Sequence, residues 1–161
     1  MSSDKPTSSE RRPIRRLLVA NRGEIARRIF RSAHDMGIET VAVFADGDAD
    51  APFVSEAHQA VSLRGRSPSE SYLDVAKVLD AARVTGADAV HPGYGFLAEN
   101  AEFATQVIDA GLTWVGPSPH AIASMGDKLA AKAMMVQAGV PTLPSIEVMA
   151  DLDVIAAAHD I

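Results

Sequence analysis

The chain has 161 residues, 47% of them hydrophobic and 22% charged, with no cysteine. That is one domain's length with enough apolar content for a core, and it excludes disulfide scaffolds, thiolate metal sites and cysteine nucleophiles. The formal net charge of −6 is uneven: residues 1–16 carry five basic and two acidic side chains, leaving ten basic and nineteen acidic ones in the rest. An acidic body lacks the basic stripe of a general nucleic-acid surface, and no apolar run approaches the ~18 residues of a membrane span. The opening 1–13 (MSSDKPTSSERRP) has no apolar stretch of a secretory signal, which predicts a flexible polar tail on a cytoplasmic protein.

Beyond the tail, short apolar or β-branched runs alternate with helical patterns, the order of a parallel sheet with helices on its faces. The predicted strands are 16–20 (RLLVA), 40–45 (TVAVFA), 60–63 (AVSL), 87–91 (ADAVH) and 112–115 (LTWV). Each is nearly all apolar, as strands buried on both faces are. A helix over 23–36 sets Ile25, Ala26, Ile29, Phe30, Ala33 and Met36 on one side and Arg27, Arg28, Arg31, His34 and Asp35 on the opposite arc, and Gly37 stops it. A second helix over 71–84 buries Tyr72, Val75, Val78, Leu79 and Ala82 and ends at Gly86, and a third over 100–110 ends at Gly111. The segment GPSP at 116–119 breaks the pattern and starts a short helix reaching Met125; a fourth long helix over 127–138 is closed by Gly139 and Pro141. Residues 140–145 read as an extended linker, 146–149 as a further strand, and 151–159 as a helix begun at Asp151 and still in progress at Ile161, which suggests a longer parent. The fold class is α/β, a Rossmann-like doubly wound parallel sheet over 14–125, with a following region begun by 126–161.

Four motifs carry chemical content. In VANRGEI at 19–25, where a dinucleotide fold places three glycines, only Gly23 is present. Asp46 stands near the distance of a ribose-binding acid, but acids are common in such loops, and the better reading is a topology that has lost its dinucleotide site. HPGYGFLAEN at 91–100 lies past the C-terminal end of the fourth strand, the edge where open α/β sheets bind ligands. There Pro92, Gly93 and Gly95 tighten the backbone, and His91, Tyr94, Phe96 and Glu99 give chemical content; ligand-facing and structural roles both stay open. In MGDK at 125–128, Asp127 is a helix N-cap and Lys128 a cation at the positive helix end, unfavourable by roughly 0.3–1 kcal/mol unless an anion is bound. The alternative is a solvated lysine paired with Asp127. Arg27, Arg28 and Arg31 form a charged arc that is usually a solvated face, yet arginines without lysine also suit carboxylates across an interface. The five histidines show no metal-ligand spacing, which predicts no protein-ligated transition metal, and no Ser/His/Asp arrangement is defensible.

Taken together, VANRGEIARRI, ESYLD at 70–74, GADAVHPGYGFLAEN at 86–100, WVGPS at 114–118, and MGDK followed by AGVPTLP at 138–144 resemble the biotin carboxylase N-terminal domain over residues 15–161, in the family's order and spacing. The resemblance implies a doubly wound domain ahead of an ATP-grasp region that begins within 126–161. It implies a ligase of acyl-CoA carboxylases and fatty acid metabolism, or the equivalent part of pyruvate carboxylase. In the family ATP activates bicarbonate, magnesium or manganese bridges the phosphates, and biotin on a carrier domain is carboxylated. Lys128 is then expected on ATP phosphate, and Gly93, Tyr94, Gly95 and Glu99 on the biotin side. Arg28 and Arg31 are expected at the interface with a second biotin carboxylase protomer. A biotin carboxyl carrier domain and a carboxyltransferase subunit are the further partners. The family's ATP lid, metal-binding glutamates and bicarbonate ligands lie downstream of this chain, so it is expected to hold no catalytic residue and to be inactive alone. FADGD at 44–48 and Ala98 are small departures from the family's usual serines. The rival reading is an interaction module that assembles through its arginine face.

Overall fold

The computed structural model describes residues 13–143, which divide into two compact units between Ala123 and Ser124. In the first, β1 (Arg16–Val19), β2 (Glu39–Phe44), β3 (Gln59–Ser62), β4 (Ala89–His91) and β5 (Thr113–Trp114) form one sheet in the order β3-β2-β1-β4-β5. Every neighbouring pair is parallel, with Leu18 opposite Val41 on one side and Val90 on the other. Helices α1 (Gly23–Asp35) and α2 (Pro52–Glu56) cover one face, where Leu17, Val19, Ala26, Phe30, Ala42 and Phe53 pack together. Helices α3 (Val75–Thr85) and α4 (Ala101–Asp109) cover the other, over Leu18, Val41, Val78, Ala82, Val90 and Phe103. Alternate residues of β1 feed opposite cores, which is why a strand without polar alternation was required there. The fold class is the one the sequence implies.

Several local expectations are corrected. β3 is an edge strand with only Val61 partly buried, because it has a neighbour on one side alone. Met36 is 74% exposed: α1 ends at Asp35, and Gly37 turns the chain away before Met36 can reach the core. The helix expected from residue 71 begins at Val75, capped by the Asp74 carboxylate accepting from the Lys77 N–H at 3.1 Å. Ahead of it a 3₁₀ turn, Pro68–Glu70, is closed by a reciprocal Ser67–Glu70 capping box. Tyr72 is buried as expected, but from the connection and not from the helix. A 3₁₀ turn at Asp46–Asp48 and α2, which buries Phe53, are too short to show a periodicity in sequence.

Helix α5 (Pro119–Gly126) runs through the division between the units, and α6 (Lys128–Gln137) belongs to the second. The tail expected over 1–13 (apart from Pro13), the strand at 146–149 and the helix at 151–159 lie outside the described residues.

Candidate functional site

With this strand order the crossovers reverse direction between β1 and β4, so the crevice beyond their C-terminal ends is the topological switch point where doubly wound sheets bind ligands. Two loops meet there. After β1 the Ala20 N–H donates to the His91 carbonyl at 2.9 Å, extending the pairing by one bond. Asn21, fully buried, fills the crevice: its amide donates to the Pro92 carbonyl at 2.8 Å and the Tyr94 carbonyl at 2.9 Å. Asp46 has a turn role as well, its carboxylate accepting from the Gly65 N–H at 3.1 Å.

The loop after β4 is tightly specified. Gly93 has φ +67°, and a Cβ there would stand 2.7 Å from both Asn21 Nδ2 and Ile25 Cγ2, so only glycine fits. His91 Nδ1 accepts from the Gly93 N–H at 2.9 Å, which puts the proton of the neutral ring on Nε2; burial pushes this imidazole's pKa down. Gly95 pairs φ +67° with ψ −166°, a region essentially reserved for glycine. Phe96 follows at φ +44°, a strained value for an aromatic residue. Its ring stacks on Tyr72 with centroids 5.1 Å apart. The Tyr72 hydroxyl donates to Asp48 at 2.6 Å and accepts from the Ala45 N–H at 3.1 Å; burial, then the Asp48 carboxylate, pushes its pKa up. Arg22 pairs with Asp48 and lies over the Tyr72 ring. At the far end of the loop Asn100 caps α4 by accepting from the Phe103 N–H at 2.9 Å.

From this fixed backbone the Tyr94 side chain emerges 68% exposed. It borders an apolar groove of about 420 Å³ along α1, whose wall includes His91, Gly93, Ile29 and Arg28. Two motifs that the sequence treats separately, the loop and the arginine arc, thus share one groove. Arg31 lies instead at a hollow of about 280 Å³ with Arg27, His34 and Glu56. Arg27 and Glu56 form a 2.7 Å ion pair that ties α1 to α2, raising the guanidinium's pKa and lowering the carboxyl's. Arg28 and Arg31 are exposed and make no ion pair among the described residues. Glu99 is exposed at the end of the 3₁₀ turn Phe96–Glu99 and does not line the groove.

In the second unit Lys128 is the first residue of α6 and is exposed. The Asp127 carboxylate accepts from the Leu129 and Ala130 N–H groups at 2.8 and 3.1 Å, so it caps the helix and does not pair with Lys128. No cluster of three or more histidine, aspartate or glutamate side chains among the described residues could hold a metal ion, so magnesium or manganese ligation is assigned to none of them. Sequence reasoning missed Asn21, Arg22, Asp48 and Tyr72 as supports of the loop. The one available signal was a polar Asn directly after the apolar run Leu17–Ala20.

A parallel sheet of this order, with two loops tied together at the switch point by Asn21, defines a doubly wound α/β domain. The family model of the biotin carboxylase N-terminal domain matches residues 13–122, and the chain belongs to that family. It is 55% identical over 131 residues to the biotin-dependent acyl-coenzyme A carboxylase alpha3 subunit of Mycobacterium leprae, covering 81% of this chain and 22% of that protein. Against mouse mitochondrial pyruvate carboxylase it is 43% identical over 153 residues, 91% of this chain and 13% of that protein. The biotin carboxylase domain of a single-chain bacterial carboxylase superposes with a TM-score of 0.82 at 43% identity, covering 91% of this chain and 34% of that one. The chain therefore spans less than a third of the length of these curated relatives.

Proposed function

We propose that this chain supplies the N-terminal part of an ATP- and bicarbonate-dependent biotin carboxylase within a cytoplasmic acyl-CoA carboxylase of fatty acid metabolism. The observation that carries the reading is the loop 91–99. Its backbone is held at the switch-point edge by a bond from the Asn21 amide after β1 and by the Gly93 N–H donating to His91 at the end of β4, while Tyr94 is left in solvent. Rigid backbone with an exposed aromatic is suited to packing against the flat ring of biotin presented by a carrier domain. Bound ATP and bicarbonate supply an activated carboxyl group, and biotin supplies the nitrogen that receives it. This chain's own contribution is positioning: Gly93, Tyr94 and Gly95 border the biotin side, Glu99 stands close by, and Lys128 at the start of α6 draws a phosphate. Arg28 and Arg31, exposed and without ion-pair partners among the described residues, favour a second protomer as the neighbour of α1. The carboxyltransferase chooses the acyl acceptor.

The test is Tyr94→Ala in the longer enzyme, assayed with free biotin. The expected result is a KM for biotin raised roughly tenfold or more, with the KM for ATP unchanged. An unaltered biotin KM overturns the assignment of this loop to the biotin side.

A further inference from the structure

We infer that Asn21 is a positioning residue: the turn after β1, where a dinucleotide fold keeps its phosphate loop, serves here as a clamp that sets the shape of the loop carrying Tyr94. For the effect on biotin, this rests on the function proposed above.

The argument begins with what Asn21 touches. Its two amide donors go to the carbonyls of Pro92 and Tyr94, the residues on either side of Gly93. Those carbonyls lie beyond the end of β4, where no ladder partner remains. One planar amide supplies a donor to both, the buried bond to Pro92 and the part-buried one to Tyr94, so the distance between the carbonyls is set by a rigid group. The amide's own orientation is fixed as well, because Oδ1 accepts from the Arg22 N–H at 2.9 Å. A flipped amide would aim its oxygen at two carbonyl oxygens. Gly93 completes the fit, since a Cβ at that position would overlap Asn21 Nδ2.

The clamp explains a second observation. Three residues further along, Phe96 is held at φ +44°. Such strain persists only where the surroundings over-determine the chain. Asn21 anchors the loop before this point, and the stack of Phe96 on Tyr72 anchors it after. Without Asn21 the His91 tether to the Gly93 N–H still remains. The sheet and its two cores do not depend on the amide, so its loss is expected to loosen the loop and leave the fold.

The experiment is Asn21→Ala in the full-length enzyme that carries this sequence, read by backbone hydrogen exchange and steady-state kinetics. The Gly93 amide, bonded to His91 Nδ1, is expected to exchange about tenfold faster or more as the loop loosens, while the amides of β1 and β4 keep their protection. The KM for free biotin rises roughly ten- to a hundredfold with the KM for ATP unchanged, as follows from misplacing a positioning surface by an ångström. If Asn21→Ala does not fold, Gly93→Ala reaches the same contact from the loop side and is expected to show the same selective exchange and the same KM split. Where both fold, the double variant recovers the part of the Gly93→Ala cost that comes from Asn21, because the methyl enters the vacated space, while the contact with Ile25 Cγ2 and the φ of +67° remain. Unchanged exchange at Gly93 overturns the positioning role. If Tyr94→Ala leaves the biotin KM unaltered while Asn21→Ala still loosens the loop, the biotin reading fails and the clamp stands.

Discussion

His91 illustrates how one side chain can carry two duties. Its Nδ1 must be unprotonated to accept the Gly93 N–H, and burial independently disfavours the imidazolium. The folded-state pKa lies below that of the unfolded chain, near 6.5. The unfolded state therefore takes up the proton first as pH falls. The stability that the neutral ring contributes is fully present above about pH 6.5 and is lost as pH drops through the window below it. Denaturant midpoints of the wild type and His91→Gln at pH 7.5, 6.5 and 5.5 check this. The gap between them is expected to narrow toward acid pH, while a constant gap would assign the histidine to packing alone. The protection factor of the Gly93 amide, its exchange rate relative to the intrinsic rate at each pH, should fall over the same interval, since protonation of Nδ1 removes its acceptor.

Among the elements, α1 carries the most information. Its apolar side, Ala26, Phe30 and Ala33, closes one core, and the burial of a phenylalanine such as Phe30 contributes roughly 2 kcal/mol. Its charged side is divided by geometry: Arg27 is held by Glu56 of α2, whereas Arg28 and Arg31 face separate hollows. Changing both Arg28 and Arg31 to Glu in the longer parent should set like charges against a partner's carboxylates and weaken self-association, an effect that high salt partly masks. Because both are exposed, the denaturation midpoint should hold. Sedimentation of the double variant at micromolar concentration is the measurement. Unchanged behaviour returns these residues to a solvated face.

On the scale of the molecule, the chain provides a fixed loop in one unit and a single lysine at a helix start in the other. Phosphoryl transfer needs metal ligands and a cradle around the moving phosphate. The described residues offer no metal cluster. Aligned with only 22% of the Mycobacterium leprae subunit, the chain alone is expected to release no ADP above background with ATP, biotin and bicarbonate, and bicarbonate-dependent release would overturn this. In the full-length enzyme, Lys128→Gln should cost on the order of 1.5–3 kcal/mol, or roughly 10- to 150-fold in ATP affinity or turnover, by removing a charge-assisted bond to phosphate. Stability without nucleotide should stay equal or rise slightly, because a cation leaves the positive end of α6. A variant with the parent's ATP dependence and a lower melting temperature would make Lys128 structural.

The order of the strands' apolar runs and the helical periodicities was legible in the sequence because burial on two faces demands unbroken apolar strands, and packing on one face demands amphipathic helices. The two-sided core around β1 and the family follow from those patterns and from the motifs themselves. Short elements were not legible: α2 and the 3₁₀ turns are brief enough that capping and tertiary contacts decide them, as Asp74 and Ser67 did around Tyr72. The edge position of β3 and the exposure of Met36 depend on which neighbours are present, which no local pattern encodes. Sequence by itself established that a single glycine follows β1 and that a glycine-rich loop follows β4. Only the tertiary structure decided that Asn21 closes the crevice between them and that Arg28 and Tyr94 share a groove, because parallel pairing of β1 with β4 brings together residues some seventy positions apart.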